Sequence, residues 1–257
     1  MPSPLKVFIT GASSGIGAAL AAHYAARGAQ LGLVARRAEA LAVVARGLPG
    51  HPAVYLADVA DAKAMSDAAH DFMQRFGVPD IVIANAGISV GTLTEHAEDI
   101  AVFGRVMQTN VVGLAVTFHP FIAPMRAARR GRLAGIASVA GMRGIPGAGA
   151  YSASKAAAIT YLEALRVELR SSGVKVVTVC PGYVATPLTA VNKYRMPFIL
   201  PADVAARRIA RVIDAGRAYA VVPWQMALVA RAMKLLPNAL YDRLFKRAGR
   251  KPRGLKL

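Results

Sequence analysis

Three side chains in the sequence carry chemistry if the fold brings them together: Ser138, ending the run GRLAGIAS, and the pair Tyr151 and Lys155 in YSASK. A helix through YSASK sets the phenol and the ammonium about one turn apart on one face. A carbonyl oxygen held between Ser138 and Tyr151 accepts two hydrogen bonds while its carbon takes a hydride. The phenol then acts as acid-base, provided a cation holds the phenolate, because its reference pKa of about 10 is otherwise too high. Lys155 is spaced to supply that field and to hold the ribose hydroxyls of a nicotinamide cofactor. A tyrosine and a lysine at this spacing also occur on ordinary packed helices, so the neighbouring strings must decide.

The first of these is TGASSGIG, residues 10–17, set between the apolar run LKVFIT and a helical run. Gly11 permits a tight turn, Gly15 lets a phosphate approach the backbone, and Gly17 lets the helix pack closely on a sheet. The helix N-terminus offers unpaired N–H groups to a pyrophosphate. After the second apolar run the sequence reads GLVARRAEAL, with no acid before Glu39. An acid there suits the bare ribose of NAD(H), whereas Arg36 and Arg37 suit the 2'-phosphate of NADP(H). Arg36 is the stronger candidate for the phosphate and Arg37 for packing or added charge; the plainer reading is a solvated pair.

Asp58 and Val59 end AVYLADV and border an adenine, unless Asp58 merely caps the next helix. Asn85, Ala86 and Gly87 follow DIVIA, either as a loop beneath the nicotinamide-side ribose or as a turn whose asparagine holds neighbouring backbone. In CPGYVATPL, residues 180–188, Pro181 and Gly182 form a turn and Thr186 bonds a carboxamide or phosphate. Ile88, Met142, Ile145, Pro146, Tyr183 and Leu188 are candidate substrate walls, while Arg143 is a wall residue or receives a carboxylate or phosphate. Leu188, Val191, Tyr194, Met196 and Phe198 serve as lid or as core.

The elements that must position these residues are legible as a rhythm. Apolar runs begin near residues 5, 30, 53, 80, 131, 174 and 218, with helix-compatible segments in the intervals. This predicts an α/β fold, a doubly wound parallel sheet of about seven strands with helices on both faces. The first helix ends at Gly28. One domain over residues 1–257 is expected, with a basic amphipathic extension from about residue 223.

Composition sets outer bounds. With 55% hydrophobic residues the 257-residue chain can bury a full core, and 32 Lys and Arg against 14 acids leave +18, which favours polyanionic neighbours. The single Cys180 excludes an internal disulfide and points to a reducing, cytoplasmic compartment. The opening MPSPLKVFIT predicts no secretory signal, and no uncharged apolar run reaches the roughly 20 residues of a membrane span. No Cys–His cluster predicts a metal, and without zinc-finger spacing nucleic acid is not expected as the primary partner. Residues 231–257 hold nine basic residues and one acid. This tail either lies on the cytoplasmic face of an anionic membrane, packs as pocket wall or subunit contact, or meets another polyanion.

Taken together, TGASSGIG, ANAG at 84–87, Asn110 within TNVVG, Ser138, YSASK and PGYVATP resemble the short-chain dehydrogenase/reductase family over about residues 5–222. The resemblance implies a Rossmann-like fold and a catalytic tetrad of Asn110, Ser138, Tyr151 and Lys155. In it Lys155 lowers the pKa of Tyr151 and Asn110 supports a water leading to a proton relay. It also implies cofactor contacts from Gly11, Ser13, Ser14, Gly15, Ile16, Gly17, Asp58, Val59, Asn85, Gly87, Pro181, Gly182, Val184 and Thr186. The arginines after the second strand look like NADP(H)-preferring members, although Ser13 and Ser14 stand where some of those carry a further basic residue. Homodimers or homotetramers built partly through the helices around Asn110 and Tyr151 are implied. The expected activity is NADP(H)-dependent reduction of an apolar ketone or aldehyde. Alternatives are a dehydrogenase working mainly in alcohol oxidation and a non-catalytic cofactor-binding protein.

Overall fold

The computed structural model describes residues 3–246 and 249–254. Seven strands form one parallel sheet: β1 (Lys6–Thr10), β2 (Gln30–Ala35), β3 (Ala53–Leu56), β4 (Ile81–Ala84), β5 (Gly131–Ile136), β6 (Val174–Pro181) and β9 (Tyr219–Val222). Their order is β3-β2-β1-β4-β5-β6-β9, so the chain winds outward one way from β1 and then the other way from β4. A short parallel pair, β7 (Val184–Ala185) with β8 (Leu200–Pro201), lies apart from the sheet.

Alternate residues of the strands feed two cores. Val7, Ile9, Leu33 and Ile81 pack beneath α1 (Gly15–Ala25) and α8 (Ala202–Asp214), where Leu20, Tyr24, Ile209 and Ile213 are buried. Phe8, Val82, Leu133 and Val176 face the opposite side, beneath α3 (Ala62–Phe76), α5 (Gly113–Ala127) and α6 (Gly149–Glu168). There Phe8 lies with ring centroids 5.4 Å from Phe72 and 4.9 Å from Phe121. Each such fully buried side chain contributes about 1.5–3 kcal/mol by leaving water. Because both faces are covered, the strands read as unbroken apolar runs.

α1 stops at Ala25, three residues before Gly28, which takes φ +75° in the turn toward β2. α2 (Ala38–Arg46) follows β2. Asp61 caps α3 by accepting from the Ala64 N–H at 3.0 Å, so the capping role open to Asp58 belongs to its neighbour.

α4 (Ala97–Met107) runs into a π-helical turn, Gln108–Val112, and on into α5, one continuous helix of 31 residues. By length and composition it is apolar enough to cross a membrane, a helix that the reading of uncharged apolar runs did not single out. Its Val106, Leu114, Phe118, Phe121 and Met125 are buried within the protein.

The extension from residue 223 forms α9 (Trp224–Leu235) and α10 (Asn238–Phe245). Met226 and Ala230 of α9 are buried against Val139, and the Tyr241 hydroxyl donates to Gly144 O at 2.5 Å. The inner face of the tail is therefore packed. Trp224, Leu228 and Leu235 point outward and are largely exposed.

Candidate active site

β1 and β4 are neighbours whose following helices leave toward opposite faces, which opens a crevice at their C-terminal ends. A cavity of about 540 Å³ occupies it. Gly11, Ser13, Ser14, Gly15, Ile16, Arg36, Arg37, Asp58 and Val59 line one end of this cavity. Asn85, Ala86, Gly87, Ile88, Ser138, Tyr151, Lys155, Pro181, Gly182, Val184, Thr186 and Leu188 line the rest. Gly17 and Asn110 stand just behind the wall, and Met142, Arg143 and Tyr183 do not line it.

The glycine loop is held from below. Asn85 Nδ2 donates to Thr10 O at 3.0 Å and to Gly11 O at 3.2 Å, while its N–H donates to Thr10 Oγ1 at 3.2 Å. The local, backbone-holding reading of Asn85 is thus the one its contacts express. Gly17 is required by close approach: a Cβ there would collide with the Gly11 carbonyl oxygen and lie 2.5 Å from Asn85 Nδ2. Ser14 stands at the N-cap of α1 yet makes no side-chain cap bond. The first-turn N–H groups of α1 therefore face the crevice without a side-chain acceptor, which fits a pyrophosphate.

Instead of capping α1, the Ser14 hydroxyl accepts from Arg37 Nη2 at 2.8 Å, and Ser13 Oγ accepts from the same nitrogen at 3.1 Å. Arg36 turns the other way and pairs with Asp58 at 3.3 Å. Arg37 thus sits on the glycine loop, while Arg36, which the sequence put first for the phosphate, has part of its charge answered by a carboxylate. Asp58 also holds its own turn by accepting from the Ala60 N–H at 3.0 Å.

Ser138 follows β5 and caps a short 3-10 turn, Val139–Gly141, by accepting from the Ala140 N–H at 3.1 Å. Tyr151 and Lys155 lie on the first turns of α6, with the ammonium 5.8 Å from the phenol ring centroid. Lys155 Nζ donates to Ile136 O at 2.8 Å. Burial dominates the electrostatics of the pair. It raises the Tyr151 pKa, which the Ser138 hydroxyl opposes, and it pulls Lys155 down to about 8. Lys155 is not among the groups that shift Tyr151 here, where burial leads.

Asn110 lies in the π-helical turn, an irregularity that frequently marks functional sites. Its Oδ1 accepts from the Ile88 N–H at 2.8 Å, and its Nδ2 donates to Ile88 O and Ser154 Oγ, both at 2.9 Å. The side chain thus fixes the loop after β4.

Two expected wall residues serve the tail. Met142 packs with Met226 and Ala230 of α9. Arg143 Nη1 donates to Met233 O and, at 2.6 Å, to Leu236 O, closing carbonyls left open at the end of α9. Its guanidinium also lies 3.9 Å from the Tyr241 ring centroid. Tyr183 is partly buried, its ring centroid 6.3 Å from that of Tyr194. Pro146 borders a second, shallow cavity beside α10, while the Ile145 N–H donates to Ser152 Oγ. Of the lid candidates, Leu188 and Val191 line the main cavity, whereas Phe198 is half exposed. Thr186 begins α7 (Pro187–Ala190) in a reciprocal cap with Thr189. Sequence reasoning passed over Ser89 and Thr109, which line the cavity, and Lys251, which bonds to its wall. Ser89 stands outside the motifs, and Thr109, the first residue of TNVVG, is overshadowed there by Asn110.

A parallel sheet with this winding, a glycine loop and a crevice at the β1–β4 divide define a Rossmann-like nucleotide-binding fold. The chain belongs to the short chain dehydrogenase family, whose pattern matches residues 6–195. It is 38% identical over 244 residues to an uncharacterized oxidoreductase of Myxococcus xanthus (strain DK1622), covering 93% of this chain and 95% of that one. It is 35% identical over 206 residues to the cis-4-hydroxycyclohexanecarboxylate dehydrogenase of Sinomonas cyclohexanicum, covering 79% of each. A solved short-chain dehydrogenase from Streptomyces avermitilis has the same fold, with a TM-score of 0.78 over 95% of this chain and 96% of that one at 24% identity.

Proposed function

We propose that the protein is an NADP(H)-dependent reductase of an apolar ketone or aldehyde. The observation that carries this reading is one continuous cavity with Arg37, Ser13 and Ser14 at one end and Ser138, Tyr151 and Lys155 at the other. Arg37 and the two serine hydroxyls bind the 2'-phosphate, and the open N–H groups of α1 take the pyrophosphate. When bound, NADPH supplies the hydride. Ser138 and Tyr151 hold the substrate oxygen, and Tyr151 gives its proton to that oxygen as the carbon is reduced. Lys155 holds the cofactor ribose and favours the resulting phenolate by its charge, while Asn110 fixes Ile88 in the substrate wall. The opposite direction, oxidation of an alicyclic alcohol, draws support from the Sinomonas relative, whose substrate carries a ring hydroxyl. The test is a parallel titration with NADPH and NADH followed by turnover of cyclohexanone and camphor. Tyr151→Phe is expected to cut turnover by about 10²–10⁴-fold and leave NADPH affinity nearly unchanged. Wild-type turnover retained in that variant refutes the assignment.

Two surface roles go with this reading. The exposed apolar residues Ile100, Phe103, Val112 and Val167 on the helices around the site support a homo-oligomeric contact. The outward face of α9, with Trp224, Leu228 and Leu235 beside Arg231 and Lys234, supports peripheral contact with an anionic membrane.

A further inference from the structure

Beyond α10 the chain turns back and crosses the substrate end of the crevice. Lys251 is buried, 8% exposed, and its Nζ donates to Ser89 Oγ at 3.1 Å and to Leu188 O at 2.8 Å. Both acceptors belong to residues that line the cavity holding Tyr151, and they come from opposite banks, the loop after β4 and the segment after β6. The backbone of the same stretch is fitted as closely. The Gly91 N–H donates to Pro252 O at 3.0 Å, and a Cβ on Gly91 would collide with the carbonyl oxygen of Lys251. Arg253 anchors the end on α4, with Nε 2.7 Å from Asp99 Oδ2 and Nη2 2.9 Å from Glu98 Oε1.

An ammonium in this position is costly. Its partners are a hydroxyl and a carbonyl, and burial alone pulls its pKa down to about 8. The bonds it makes join the loop after β4 to the segment after β6, two banks of one cavity, so the ammonium is placed to control the pocket mouth.

We propose that Lys251 is a positioning residue that pins the Leu188 segment to the Ser89 loop and so sets the closed shape of the substrate pocket. The proposal rests on the reductase reading for its kinetic consequence, but the pinning itself does not need turnover to be seen. Arg37, Ser13 and Ser14 line the cavity as well but come from other loops, whereas Gly87 and Thr186 stand two residues from Ser89 and Leu188, so loss of the pin acts first on the substrate and only secondarily on NADPH.

The experiment uses the full chain as wild type, Lys251→Met and Gly91→Val, the last displacing the Lys251 backbone without altering its ammonium. Amide hydrogen exchange over residues 88–91 and 188–194 reads the pin directly; KM and kcat for cyclohexanone and camphor, with the NADPH Kd, read its effect. The expected result is exchange at least about tenfold faster in both segments, as for loss of a single charge-assisted hydrogen bond. KM for the ketones should rise more than kcat falls, and by a larger factor than any rise in the NADPH Kd, in both variants. Wild-type exchange rates in Lys251→Met overturn the proposal, and so does faster exchange with unchanged KM, which reduces the residue to local packing. A wild-type protein that turns over neither ketone tells against the reductase reading, and the exchange data then still decide whether Lys251 pins the two segments.

Discussion

Replacing Arg37 by Met removes a guanidinium and keeps most of the stem, so the change isolates charge and hydrogen bonding. Arg37 Nη2 sits 2.8 and 3.1 Å from two serine hydroxyls on the glycine loop and has no carboxylate partner among the described residues. A phosphate bound there gains charge-assisted hydrogen bonds of about 1.5–3 kcal/mol each. Loss of one such bond weakens NADPH binding by roughly 10- to 150-fold, at about 1.4 kcal/mol per tenfold. NADH has no phosphate at that position, so its affinity stays nearly constant. Arg36 behaves differently. It is about half exposed at 47% and pairs with Asp58 at 3.3 Å, an arrangement worth about 0–1 kcal/mol. Arg36→Met frees the Asp58 carboxylate beside the adenine end, which affects NADPH and NADH alike. The assay is fluorescence titration of both variants with each cofactor at fixed salt, and the quantity read is the ratio of the two dissociation constants. A ratio unchanged in Arg37→Met, or collapsed equally in Arg36→Met, refutes the assignment of the phosphate to Arg37.

Further outcomes follow from other parts of the structure. Lys155 has its folded pKa pulled from 10.5 to about 8, so below pH 8 the ligand-free fold carries the full penalty of burying the charge. That penalty, about 3 kcal/mol at 1.36 kcal/mol per unit, is relieved as pH rises from 8 to 10.5. Lys155→Met should therefore stabilise the ligand-free protein toward urea at pH 7, and its advantage over wild type should shrink by pH 9.5; an advantage that does not change with pH contradicts the buried-ammonium account. Gly17→Ala drives a methyl into Gly11 and Asn85 and should cost about 1–3 kcal/mol in urea denaturation. It should also abolish NADPH binding measured by calorimetry. Trp224→Glu with Leu228→Glu places charge on the exposed face of α9 and should lower co-sedimentation with anionic liposomes; undiminished pelleting assigns that face to another role.

The central strands were readable because burial on both faces leaves them almost wholly apolar, as in VFI of β1 and IVIA of β4. The crevice was readable because its glycines, Ser138, Tyr151 and Lys155 all stand at strand ends or helix starts, where position along the chain implies position in space. Arg143 misled for the opposite reason. Within GMRGIPG it looks like any loop cation, and its partners Met233 and Leu236 lie at separations of 90 and 93 residues. The directions in which Arg36 and Arg37 turn were equally hidden, since adjacent side chains leave in different directions and only the locations of Asp58 and Ser14 show their contacts. Lys251 reaches Ser89 across 162 residues, and no local spacing encodes such a contact. The π-helical turn at residues 108–112 leaves no compositional trace either.

The amide of Asn85 joins two strand ends that no crossover connects. At the β1–β4 divide the helices depart to opposite faces, and this amide adds to the strand pairing and to the Thr10 hydroxyl in holding the banks of the crevice together. With it, their separation is set before any nucleotide arrives. Most of the ordering entropy for that end of the site is then paid during folding. Cofactor capture at the glycine loop becomes a docking event onto a rigid seat, while the movement needed for turnover is left to the substrate side of the molecule.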